Sequence, residues 1–246
     1  MKITGNTILI TGGTSGIGLA LARALSAKGN RVAITGRDPD KLKRILGENP
    51  EWIGYAIDLI RPESVLELAT SIQSDLPELN LLINNAGLQF EHSFLEDSQA
   101  LNRVQPECRV NLEAPIRLTL ALLPLLLQSP EAAVVYTTSA LGEVPKSSFP
   151  VYAASKAGLS AFATALGVQL KDTNLRVMEL VPPLTETPLN AHRPARGKMN
   201  PDQVAAEFVS SLGRNRRIVR PGKARILHAI HRVSPRLARR IIEAQP

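Results

Sequence analysis

A chain of 246 residues with 44% hydrophobic and 21% charged side chains has the make-up of an ordinary globular protein, which excludes collagen-like and wholly disordered chains. The net charge of +7 suggests a nucleic-acid partner until it is divided along the chain. Residues 1–213 hold 19 Lys and Arg against 21 Asp and Glu, whereas residues 214–240 hold ten Lys and Arg and no acid, so the main body has no reason to bind polyanions. The single cysteine, Cys108, excludes a disulfide framework and a cysteine-rich metal site. The longest apolar run, 120–127, contains Pro124 and is far shorter than the roughly 20 residues that span a bilayer. The amino terminus carries no small-residue cleavage pattern. The expectation is a soluble, cytoplasmic, metal-independent protein.

Short apolar runs at 7–11, 31–35, 52–57, 79–84, 132–138 and 175–181 read as buried strands, because they are nearly continuously apolar rather than alternating. Helical spacing fills the gaps. Asp38-Pro39 and Asn200-Pro201 each set a capping side chain before a proline at the first helical position, and Arg61-Pro62 also allows a helix to begin. Strand–helix alternation predicts one domain: a doubly wound parallel sheet with helices on both faces. Residues 1–213 carry these elements, with a Pro- and Thr-rich loop at 183–200. Residues 214–246 form a basic extension packed on the same domain.

The first strand runs into Thr11-Gly12-Gly13-Thr14-Ser15-Gly16-Ile17-Gly18 and then a helix. A tight turn passing against a pyrophosphate needs glycines, and the helix amino terminus offers free N–H groups and a positive dipole end. The second strand ends in Gly36-Arg37, where folds that take NAD usually carry an acid for the ribose hydroxyls. An arginine there would pair with a 2′-phosphate, which points to NADP(H) over NAD(H). Asp58, closing the third strand, could accept from the adenine amino group, although an Asp ending a strand is also an ordinary helix cap.

Tyr152 and Lys156 stand four apart at the start of a helix over 151–170, on one face. A lysine ammonium beside a phenol favours the phenolate and lowers its pKa, so the phenol can exchange a proton with a carbonyl or alcohol oxygen while hydride moves to or from nicotinamide. Ser139, ending the fifth strand, is placed to hydrogen-bond the same oxygen. Asn111 lies in the helical segment before that strand, where it could hold a water leading to Lys156.

Together, T-G-G-T-S-G-I-G at 11–18, N-N-A-G at 84–87, Asn111, Ser139 and Y-A-A-S-K at 152–156 resemble the short-chain dehydrogenase/reductase family over roughly residues 5–190. The resemblance implies a single-domain Rossmann-type fold in which residues 1–213 are the dinucleotide-binding catalytic domain, including a substrate loop at 183–200. It implies that Ser139, Tyr152 and Lys156 are catalytic and that Asn111 completes a tetrad through a water. It implies that Tyr152 and Lys156 also touch the nicotinamide ribose, that Asn85, Ala86 and Gly87 line the adenine-ribose side, and that the chain forms a homodimer or homotetramer. The cofactor-binding set is then Gly12, Thr14, Ser15, Gly16, Ile17, Gly18, Arg37, Asp58, Leu59, Asn85, Ala86, Gly87, Tyr152, Lys156, Pro182, Thr185 and Thr187.

Two departures stand out. Val181-Pro182-Pro183 replaces the family's usual Pro-Gly, and Pro183 lacks that glycine's N–H. Many NADP-preferring members also carry a basic residue where this chain has Ser15. With N-L-x-A-P-I-R-L-T at 111–119 and the basic tail, the chain looks like the DltE-like subgroup.

In the tail, Ile226, Leu227, Ile230, Val233, Leu237 and Ile241 approach a helical stripe that Pro235 divides into two helices. A cap that packs this stripe over the substrate cleft or a partner subunit, with solvated arginines outside, is the favoured reading. Contact with an anionic membrane or acidic polymer through residues 214–240 is the next. Nucleic acid is disfavoured, since the tail has no aromatic residue for base stacking. His228 and His231 alone make a poor metal site, so no metal is expected. Cys108 is read as core.

The function these residues imply is carbonyl–alcohol interconversion of a small molecule. The alternative is a non-catalytic nucleotide-binding or redox-sensing protein tethered through its basic segment. In the substrate loop, Leu184, Leu189 and Met199 favour a partly apolar substrate, and Arg193, Arg196 and Lys198 equally permit an acidic one.

Overall fold

A computed structural model describes residues 1–191, 193–194, 197–214 and 216–245. Seven parallel strands form one sheet: β1 (Thr7–Ile10), β2 (Arg31–Gly36), β3 (Ile53–Ala56), β4 (Leu79–Asn84), β5 (Ala132–Thr137), β6 (Leu175–Leu180) and β7 (Ile218–Val219), in the order β3-β2-β1-β4-β5-β6-β7. The order reverses between β1 and β4, which opens a crevice at the carboxyl ends of these strands. Successive residues face opposite sides of the sheet. Ile8, Ile10, Val32, Ile34, Leu81 and Ile83 pack beneath α1 (Gly16–Ser26), α2 (Pro39–Glu48) and α8 (Pro201–Leu212). Leu9, Ala33, Leu82, Val134 and Tyr136 pack beneath α3 (Pro62–Asp75), α5 (Ala114–Gln128) and α7 (Pro150–Gln169). Both faces are covered, so both sets of side chains must be apolar, which explains the continuous runs in the sequence.

The helix starts follow the local chemistry. Asp38 accepts from the backbone N–H groups of Asp40 and Lys41 at 3.0 Å each, and Asn200 from that of Asp202 at 2.7 Å. α4 (Ala100–Cys108) joins α5 through a π-helical turn, Arg109–Glu113, so that 100–128 is one helix. By length and composition this helix could cross a membrane, but half of its most apolar stretch is buried, and it packs against α3, α7 and the sheet.

Several expectations are corrected. The third strand is half-exposed because it ends the sheet, and it is shorter than 52–57. A seventh strand, absent from the apolar runs in the sequence, is added by two residues inside the basic segment that pair with β6. Cys108 is only partly buried, whereas its neighbour Glu107 is fully buried. The substrate loop is folded back on itself, with the Met199 N–H donating to the Leu184 carbonyl at 2.9 Å and the Glu186 N–H to that of Met199 at 2.9 Å.

The tail forms α9 (Lys223–Val233) and α10 (Pro235–Glu243), divided at Ser234-Pro235. Leu227 and Ile230 pack inward on α9, but on α10 the inward residues are Ala238 and Ile242, and Leu237 is exposed. The break at Pro235 resets the helical phase, so one stripe cannot be extrapolated across it. Ala238 and Ile242 join Leu141, Val144, Phe149 and Tyr152 in a small apolar cluster. Polar clasps hold the same surface: Glu143, closing the short α6 (Ala140–Glu143), accepts from Arg220 Nε at 2.9 Å and pairs with His228 Nδ1 at 3.0 Å. Glu243 accepts from the Ser147 hydroxyl at 2.7 Å.

Candidate active site

A cleft of about 270 Å³ opens where the strand order reverses. Gly12, Thr14, Ser15, Gly16, Ile17, Arg37, Asp58, Leu59, Asn85, Ala86, Gly87, Ser139, Tyr152, Lys156, Pro182, Thr185 and Thr187 all line it. Gly18 and Asn111 do not.

The glycine turn owes its composition first to the protein's own packing. Gly12 has φ 67°, and a Cβ there would lie 2.9 Å from Ala86 Cα. A Cβ on Gly18 would lie 2.3 Å from the Gly12 carbonyl oxygen and 2.5 Å from Asn85 Nδ2. Gly16, at φ 53°, has Thr187 of the substrate loop against it, 2.8 Å from where a Cβ would sit. Asn85 explains the crowding. Its Nδ2 donates to the Thr11 carbonyl at 3.0 Å, while the Thr11 hydroxyl accepts from the Asn85 and Ala86 N–H groups at 3.0 and 3.1 Å, tying β1 to β4. α1 then begins at Gly16 with no side chain capping it, which leaves its first N–H groups at the cleft wall.

Thr14 lies against Gly36, and Arg37 follows at the rim, exposed. Among the described residues the Arg37 side chain has no hydrogen-bond or ion-pair partner. Asp58 accepts from the Ile60 N–H at 3.1 Å, forming a turn rather than the helix cap, which falls at Arg61.

Ser139, Tyr152 and Lys156 meet on the cleft floor. Ser139 is the N-cap of α6, with its hydroxyl accepting from the Leu141 N–H at 3.1 Å, and it lies close enough to Tyr152 to act on that phenol's pKa. Tyr152 and Lys156 come from the first turns of α7, with the ammonium 5.8 Å from the phenol ring centre. Lys156 donates to the Thr137 carbonyl at 2.8 Å and is 2% exposed. The electrostatics differ from the sequence reading. Burial pushes the Tyr152 phenol up to about 12, with the Ser139 hydroxyl the main opposing effect. Burial likewise pushes Lys156 down to about 8. Desolvation, rather than the lysine's charge, dominates both groups.

Asn111 lies behind the floor. It sits in the π-helical turn, its Oδ1 accepting from the Leu88 N–H and its Nδ2 donating to the Leu88 carbonyl, both at 2.8 Å, and its Nδ2 also donating to the Ser155 hydroxyl at 3.1 Å. Asn111 Oδ1 and Lys156 Nζ lie on the same side of Gly87, 3.3 and 3.6 Å from where its Cβ would be.

Glu107 and His92 are additional. They form a fully buried pair, 3.1 Å between Nε2 and Oε2, close enough for the Glu107 charge to act on both Tyr152 and Lys156. Burial raises the Glu107 carboxyl, while the His92 hydrogen bond opposes that. Residues 100, 104, 107 and 111 share a helix face, so helical spacing could have marked Glu107 as inward-facing. Arg193, Pro183, Leu184 and Leu189 of the substrate loop, with Ile242 and Gln245 of the tail, complete the cleft. Met199 packs at the core edge instead, and Lys198 is engaged by loop carbonyls. Arg196 lies outside the described residues.

The short chain dehydrogenase family model matches residues 6–197. The chain belongs to that family. It is 40% identical over 190 residues to the uncharacterized oxidoreductase DltE of Bacillus subtilis (strain 168), an alignment covering 77% of this chain and 75% of that one. Within the family it is therefore DltE-like, and it is an oxidoreductase. A short chain dehydrogenase from Burkholderia cenocepacia J2315, solved in complex with NADP, shares the fold with a TM-score of 0.85 at 24% identity over 100% of both chains. Another from Burkholderia phymatum, in complex with NAD, gives 0.83 at 22% identity, covering 95% of this chain and 96% of that one.

Proposed function

We propose that this oxidoreductase interconverts a carbonyl and an alcohol with NADP(H), Tyr152 serving as general acid/base. The observation that carries the reading is the convergence of Ser139, Tyr152 and Lys156 on the floor of the cleft whose wall is the uncapped start of α1. That wall suits a dinucleotide: helix N–H groups for phosphates, the turn of Gly12 and Gly16, and Arg37, without a partner among the described residues, at the rim beside Thr14 and Ser15. Asp58, Leu59, Asn85, Ala86 and Gly87 would hold the adenosine side, and Tyr152, Lys156, Pro182, Thr185 and Thr187 the nicotinamide side. Bound nicotinamide supplies or accepts the hydride.

The protein's own groups handle the proton. A phenol raised to about 12 keeps its proton at neutral pH, so Tyr152 rests as an acid ready to protonate a carbonyl oxygen. Ser139, beside Tyr152 on the cleft floor, would hold the same oxygen and fix its approach. Lys156 stabilises the phenolate left behind, and Thr137 fixes the ammonium in place. Relatives solved with NADP and with NAD are both consistent with the cofactor class, and Arg37 is the ground for preferring NADP(H). Exposed Leu120 and Leu127 on α5 and Val168 on α7 support self-association through these helices. The Tyr152→Phe protein should bind NADPH as wild type does and lose about 10²–10⁴-fold in turnover. Turnover of a good carbonyl substrate within about tenfold of wild type would remove Tyr152 from the role.

A further inference from the structure

Beyond Ser139 and Tyr152 the cleft reaches a second charged group. Arg193 lines it together with Leu184, Leu189, Ile242 and Gln245. The residue is only 9% exposed, and its guanidinium lies 4.5 Å from the ring centre of Phe149, the residue immediately before the helix that carries Tyr152. The loop is fastened around it. Lys198 Nζ donates to the carbonyls of Asn190 and Arg193 at 2.6 Å each, and the Arg193 N–H donates to the Asn190 carbonyl at 3.1 Å.

Among the described residues the guanidinium forms no ion pair and donates no hydrogen bond. The nearby acids do not neutralise it. Glu243 is engaged by Ser147, and Glu91, though close enough to be felt, is exposed and forms no ion pair with Arg193. A second cation, Lys146, is equally buried and repels it, but the Lys146 ammonium is satisfied by the Gln245 carbonyl. A largely buried guanidinium beside another cation, with no ion-pair partner among the described residues, carries a desolvation cost that the Phe149 ring and the Glu91 charge offset only in part. Its planar fork matches a carboxylate or phosphate in two-point contact.

We propose that Arg193 determines substrate specificity by binding an anionic oxygen group, a carboxylate first, on a substrate whose carbonyl lies against Ser139 and Tyr152. The inference rests on the carbonyl–alcohol reading for the placement of the reacting end. The apolar lining of Leu184, Leu189 and Ile242 assigns the rest of such a substrate a short hydrocarbon spacer.

The test is calorimetric binding, with and without NADP⁺ so that no hydride can be transferred, of medium-chain oxo-carboxylates, their methyl esters and the matching oxo-alkyl phosphates to wild type, Arg193→Gln and Arg193→Lys. The acid should bind wild type at least about tenfold more tightly than its ester, as expected for a charge-assisted hydrogen-bonded contact. Arg193→Gln should erase that preference while leaving ester and NADP⁺ affinity within about threefold, and Arg193→Lys should keep part of it. Tighter binding of the phosphate than of the carboxylate would retain the anion site and name phosphate as its ligand. Equal binding of acid and ester to wild type would overturn the proposal, as would an acid preference that survives in Arg193→Gln. Should that variant fail to fold, the wild-type comparison and Arg193→Lys decide. Binding is read without turnover, so an acid that binds through Arg193 but is never reduced would sink the carbonyl–alcohol reading and leave the anion site standing.

Discussion

Lys156 is held as a charge in a dry place, and replacing it with methionine exposes what that costs. The fall of its pKa from the ordinary 10.5 to about 8 corresponds to about 3 kcal/mol of lost stability in the charged form. Because the folded value of this base is depressed, the folded protein binds fewer protons than the unfolded chain between pH 8 and 10.5. Stability contributed by Lys156 therefore rises with pH across that window, and the whole penalty is present below it. Lys156→Met removes the charge but also the donor to the Thr137 carbonyl, a loss of about 1–1.5 kcal/mol. The variant should be about 1–2 kcal/mol more stable than wild type at neutral pH, from the balance of these two. The assay is urea unfolding of both proteins in parallel, followed by far-ultraviolet circular dichroism. The wild-type minus variant difference should climb by about 3 kcal/mol as pH moves from neutral to above the upper bound of the window. Subtracting the variant cancels other tyrosines and lysines that titrate in both proteins. A difference flat to about 0.5 kcal/mol, or one that falls with pH, would refute the claim that desolvation sets this lysine's state.

Arg37→Ala should weaken NADPH binding by about 10–100-fold in a fluorescence titration and leave NADH binding within about threefold, and equal wild-type affinities for the two would show Arg37 to be a bystander. Gly18→Ala places a methyl 2.3 Å from the Gly12 carbonyl oxygen, so thermal unfolding should report a loss of about 1–3 kcal/mol, and an unchanged melting temperature would mean that the turn is looser than its contacts imply. Ile242→Ala, 3% exposed in wild type and touching the cluster around Tyr152, should cost about 2–4 kcal/mol where α10 docks and raise KM more than it lowers kcat. An unchanged KM would place the tail outside the substrate site.

The sequence by itself determined the parallel sheet, because a strand covered on both faces must be apolar on both, and the nearly continuous apolar runs 79–84 and 132–138 show it. It also determined the glycine turn and the Tyr152–Lys156 pair, since positive φ, close backbone approach and four-residue helical spacing are local constraints. Other features needed the tertiary structure. β7 is two residues long and surrounded by arginines, and only its pairing with β6 makes it a strand. The face that α10 buries could not be read across Pro235, because a proline break resets helical phase. Cleft lining also separated residues adjacent in motif: Gly16 faces the cleft, while Gly18 packs against Asn85. The ionisation of Tyr152 and Lys156 was decided there as well. Spacing predicts a lysine lowering the phenol, but burial raises the phenol and lowers the lysine. Desolvation depends on everything packed around a group, and the elements that bury this pair, α10 and the helix bearing Glu107, lie 80 residues or more apart along the chain. No local reading of sequence can sum them.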